Sequence, residues 1–98
     1  MGQLFDTIRA AVLQDRFGVS DHAEERLRER RIMAWQVVEG ISSARLLAER
    51  PDAKPNPTVE LAQTLADGTP IRVVWSWLEL EKIAKLVTVY FPHQRKRK

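Results

Sequence analysis

Cysteine is absent from the 98 residues, which excludes disulfides, cysteine-held zinc and thiol nucleophiles. Histidine occurs twice, too rarely for a zinc site built from protein ligands alone. The four glycines are scattered, so no glycine-rich loop is available to cradle phosphates. No apolar run approaches the roughly eighteen residues a membrane-spanning helix requires. Charges also interrupt residues 1–16 too early for the apolar core of a signal peptide. Asp6 stands where an N-myristoylation signal after Gly2 needs serine or threonine. These absences predict a cytoplasmic protein with no membrane association and no metal or organic cofactor.

Basic charge is scarcer than the formal net charge of +3 suggests. Arg95, Lys96, Arg97 and Lys98 close the sequence, and residues 1–94 hold twelve basic against thirteen acidic side chains. Any attraction to phosphate must therefore come from a local patch or from this tail. What is present is an ordinary globular share of apolar residues, 44%, enough for one modest core.

Apolar spacing predicts a helix over residues 3–15 through Leu4, Phe5, Ile8, Ala11 and Val12, ending near Gly18. A second helix is predicted from Ser20 or Asp21 to about Arg31, with Asp21 and Glu24 as its capping box and Ala23 and Leu27 facing the core. A third covers residues 33–41, with Ala34, Trp35, Val37, Val38 and Ile41 as its apolar face. The texture then turns to strands, at residues 44–49, 58–66, 71–78 and 83–91. Prolines 51, 55 and 57 fix a loop, and Asp67-Gly68 is a strong hairpin turn. Strict alternation places Ile71, Val73, Trp75 and Trp77 together as a buried stripe. It also groups Ile83, Val87, Val89 and Phe91 against Ala84, Leu86, Thr88 and Tyr90. The predicted fold class is α+β, with helices packed on one face of a small antiparallel sheet.

The segment from Ser20 to Arg30 carries most of the chemistry. His22, Arg26 and Arg30 recur at four-residue spacing, so a helix stacks them along one face. An imidazole beside guanidinium groups suits a phosphodiester, since histidine exchanges protons near neutral pH and arginine binds phosphate with two parallel hydrogen bonds. Each residue also has an ordinary structural role. His22 can simply bond a loop, and Arg26 and Arg30 can serve a solvated helix face beside Glu25 and Glu29. Lys54 sits in the stiff proline loop, where it either presents a cation or keeps the loop soluble. Arg72 needs a carboxylate or a phosphate as its partner. Tyr90 either positions a nucleotide or closes the edge of the core. His93 follows Pro92 and reads as part of the tail.

Ser20-Asp21-His22-Ala23-x-x-Arg26, Arg30-Arg31-Ile32, Asp52-x-Lys54-Pro55-x-Pro57, Asp67-Gly68-x-Pro70-Ile71-x-Val73-Val74 and Thr88-Val89-Tyr90-x-Pro92 follow one another in an order that resembles the bacterial domain of unknown function family 4258. The resemblance covers about residues 19–92 and leaves an N-terminal helix, 1–18, and a basic tail, 93–98, outside it. That family is similar to the RelE/ParE superfamily of type II toxins, which includes messenger-RNA endoribonucleases and gyrase poisons. The resemblance implies a toxin-like fold, a cognate antitoxin partner, and action on RNA or the ribosome by a metal-independent endoribonuclease. The alternative it implies is a non-catalytic toxin or binding module that acts through a protein surface. On the endoribonuclease reading the catalytic set is His22, Arg26, Lys54, Arg72 and Tyr90, expected to converge over one face of the sheet. Two positions depart from the family pattern: Arg31 stands where relatives commonly have glycine, and Arg72 where histidine often leads the strand.

Overall fold

Phe5, Ile8, Ala11 and Val12 fall on one side of a helix, and in the computed structural model, which describes residues 2–92, all four are buried in helix α1, Gln3–Leu13. Its first turn is tied down from across the molecule, because the Phe5 N–H donates to Glu49 Oε2 at 2.9 Å. A carboxylate there meets one of the unpaired N–H groups at the helix start. The helix ends earlier than predicted. Gly18 belongs instead to a three-residue strand β1, Phe17–Val19, too short to show alternation in the sequence.

Ser20 starts the next helix, α2, Asp21–Arg30, and it replaces the predicted Asp21 capping box. Its Oγ accepts from the Ala23 N–H at 3.0 Å while donating to the Val87 carbonyl at 3.2 Å, so one hydroxyl both caps the helix and joins it to the sheet. Ala23 and Leu27 are buried, as their spacing predicts. Helix α3, Ala34–Gly40, and one turn of 3-10 helix, Ile41–Ser43, bury Val37 and Ile41. Trp35, assigned to that apolar face, is instead 59% exposed. The helix is only seven residues long, and the residues it turns to the core are Val37 with Ala34 and Val38 beside it, a set that leaves Trp35 outside.

The remaining strands are β2, Arg45–Arg50, β3, Thr58–Thr64, β4, Pro70–Leu78, and β5, Ile83–Tyr90. Their order in the sheet is β1-β5-β4-β3-β2. The predicted α+β class holds, but the sheet is mixed: β1 runs parallel to β5, with Phe17 opposite Ala84 and Val19 opposite Leu86. The Asp67-Gly68 hairpin forms as predicted, with Gly68 at φ 93° and the Thr69 N–H donating to Asp67 Oδ1 at 2.9 Å. Ile71, Val73, Trp75 and Trp77 are buried together, with Phe17 edge-on to Trp75.

Strand β5 breaks the predicted alternation. Val74 pairs with Thr88 but Trp75 pairs with Leu86, which leaves Val87 as an extra residue. This bulge brings Ala84, Leu86 and Val89 all to the core side, and separates Leu86 from Tyr90. The helices cover the core face, leaving Glu60, Ala62, Arg72, Val74, Thr88 and Tyr90 on the other, more exposed side. His93 and the Arg95–Lys98 tail lie outside the described residues.

Candidate functional site

On this open face, Arg72 pairs in register with Ala62 on one side and with Tyr90 on the other. Residues directly opposite in neighbouring strands point the same way, so the guanidinium and the phenol stand side by side. The Tyr90 hydroxyl donates to Glu60 Oε2, reaching from β5 past β4 to β3. Arg50 on β2 donates to the other oxygen of the same carboxylate at 3.5 Å. Glu60 is therefore held on both sides and largely enclosed, at 15% side-chain exposure. Arg72, by contrast, has no ion pair among the described residues, although it lies on a sheet where sequence reasoning required a carboxylate or phosphate partner.

The face runs into a cleft of about 500 Å³ at the end of the sheet where β3 finishes and β2 and β4 begin. Arg45 and Arg72 line it together with Ser43, Gln63, Pro70 and Pro92. Arg45, opposite Ala62 and thus on the same side as Arg72, also lacks an ion pair among the described residues. Gln63 is 5% exposed and points to the core side of β3. Its Nε2 donates to the Val37 carbonyl at 3.2 Å, while its Oε1 is buried with no donor among the described residues. Gly40 makes room for this amide, because a Cβ there would lie 2.6 Å from Gln63 Nε2.

The other predicted site residues are dispersed. His22 is exposed on the first turn of α2 and makes no hydrogen bond among the described residues. Arg26 is occupied by its own helix, 3.1 Å from Glu29 and 3.9 Å from Glu25. Arg30 lies over the Phe91 ring at 5.6 Å. Lys54 is exposed in the loop joining β2 to β3, beyond the Arg50–Thr58 pair and hence at the opposite end of those strands from the cleft. No hydrogen bond or ion pair among the described residues joins His22 or Lys54 to Arg72 or Tyr90.

Sequence reasoning missed Glu60, Gln63 and Arg45. For Gln63 a signal existed: the alternation that sends Val59 and Leu61 inward sends Gln63 inward too, and a polar group at a core position calls for explanation. Glu60 and Arg45 gain meaning only from register with strands distant in the sequence. No group of three histidine, aspartate or glutamate residues that could hold a metal ion occurs among the described residues. No curated protein and no solved structure gives a significant match to the chain. A family model does match residues 19–91, and by it the chain belongs to the family described as a domain of unknown function, DUF4258.

Proposed function

We propose that this domain binds RNA across the open face of its sheet and cleaves it without a metal ion, as a toxin-like endoribonuclease restrained by a cognate antitoxin. The carrying observation is the cross-strand set of Arg72, Tyr90 and Glu60, in which a guanidinium with no ion pair among the described residues stands beside a hydrogen-bonded acid and phenol. Arg72, with Arg45 behind it, takes the charge that develops on the phosphate. Glu60 accepts the proton of the 2′-hydroxyl as that oxygen attacks phosphorus, and Tyr90 gives its proton to the departing 5′-oxygen. The Tyr90–Glu60 hydrogen bond then returns the proton to the phenolate, so the pair is restored. The products are a 2′,3′-cyclic phosphate and a 5′-hydroxyl. His22, Arg26 and Lys54 belong to this proposal as groups that meet RNA extending beyond the sheet.

The test is incubation of the protein with short RNAs in excess chelator. Cleavage to cyclic phosphate ends is expected. Glu60→Gln and Arg72→Ala should each slow it by about 10²- to 10⁴-fold with unchanged circular dichroism, while a His22→Ala effect measures that residue's share. Undiminished cleavage by Glu60→Gln would remove the mechanism, and absence of any cleavage would favour a protein-directed toxin. That second reading draws on exposed Met33 and Trp35, the latter beside a groove lined by Leu65 and Ala66.

A further inference from the structure

We infer that the cleft beside Arg72 seats a second phosphate, the neighbour of the one acted on by Glu60 and Tyr90, so that its ligand is a nucleic-acid strand with at least two consecutive phosphates. The inference deepens the RNA-directed function proposed above and rests on it for the identity of the first phosphate. Arg45, Ala62 and Arg72 stand opposite one another on β2, β3 and β4 and share the open face of the sheet. The two arginines are thus two strand spacings apart, about 9.6 Å at the backbone, with only the methyl group of Ala62 between them. Both line the same cleft. Among the described residues no carboxylate lines it, and neither arginine has an ion pair. Two like charges placed over one small residue repel each other, and an anion seated between them removes that cost.

The seat is distinct from the proton-transfer pair. On the open side of β3, Glu60, Ala62 and Thr64 follow one another at two-residue steps, about 7 Å each. Ala62 and Thr64 line the cleft, whereas Glu60 and Tyr90 do not. An anion held over Ala62 therefore lies roughly one nucleotide along a strand from the pair, in a positively charged groove of the kind that tracks a single-stranded backbone. Ser43 and Thr64 add hydroxyl donors at its far end. Arg72, with Tyr90 on one side and the seat on the other, serves both phosphates, and Arg45 supports it by fixing the second.

Deoxyribonucleotides separate this seat from cleavage, since they lack the 2′-hydroxyl that attacks phosphorus. Calorimetric titration of the full chain compares a deoxythymidine trinucleotide, which carries two phosphates, with the same trinucleotide bearing one uncharged methylphosphonate linkage. The doubly charged ligand should bind at least about tenfold more tightly. Arg45→Ala should abolish the difference with unchanged circular dichroism, and Ala62→Leu, which fills the seat and removes no charge, should reduce it. Arg28→Ala removes one charge from an exposed position on α2 and should leave the difference as in the parent. Equal binding of the two trinucleotides by the unaltered protein would overturn the inference. So would a difference that survives Arg45→Ala, or one that Arg28→Ala abolishes as completely. A protein that cuts RNA yet shows no difference loses the second-phosphate seat alone. One that shows the difference and never cuts RNA keeps the seat and loses the cleavage mechanism.

Discussion

Glu79 gathers two donors on an exposed turn: Lys82 Nζ bonds one carboxylate oxygen, and the Trp77 indole N–H donates to the other at 2.7 Å. The Lys82 hydrogen bond first, and the indole second, hold this carboxyl below its usual range. A carboxyl depressed in the folded state stabilises the fold above the unfolded carboxylate range. That contribution is lost as the pH falls through its lowered folded value. Glu79→Gln is therefore expected to melt lower than the parent near neutral pH, with the gap closing in strong acid, which paired thermal melts would show. A gap that persists in acid would mean that the charge is irrelevant. Single residues were the least legible part of the candidate site. Arg72 and Tyr90 were chosen from sequence for their chemistry, and the register places them side by side. Glu60 looked like one more outward charge on an alternating strand until the fold brought Tyr90 to it.

At the scale of elements, the end of α2 shows why a glycine suits that turn. Arg31 adopts the left-handed conformation at φ 59°, its N–H bonding the Arg28 carbonyl at 3.2 Å, and the Ile32 N–H returns to the Leu27 carbonyl at 3.0 Å. A side chain with Cβ pays about 1–2 kcal/mol in that conformation, partly offset by the freedom glycine has when unfolded. Arg31→Gly should stabilise the protein by about 1 kcal/mol and raise its melting temperature by roughly 4–8 °C. No rise would imply that the arginine side chain makes compensating contacts. Helices and strands with clear spacing were readable, including the Asp67-Gly68 hairpin and the Trp75–Trp77 stripe. Two devices were not. The Val87 bulge leaves no mark in a run where nearly every residue suits a strand, and β1 contributes too few residues to show a period.

For the molecule as a whole, α1 and β1 are joined to the matched domain through one core. Phe5, Ile8 and Val12 pack in the same cluster as Val59, Trp75 and Leu86. Burial contributes about 1.5–3 kcal/mol for each such side chain. Their combined loss approaches the 5–15 kcal/mol that typically separates folded from unfolded domains. Deleting residues 1–18 is therefore expected to abolish cooperative unfolding, as followed by circular dichroism against denaturant. A sharp transition in the shortened chain would show that 19–92 stands alone.

The placement of β5 between β1 and β4 also sets a constraint in time. During synthesis the helices and β1 emerge first, yet the strand that β1 and α2 join is the last described element to be made. Until then the apolar side of α1 has only a partial sheet to meet. The closing step brings together residues from the two extremes of the described chain, a long loop to close and a slow kind of contact to form. The nascent protein therefore passes through an interval in which its first helices lack their finished sheet, and a chaperone would be most useful then.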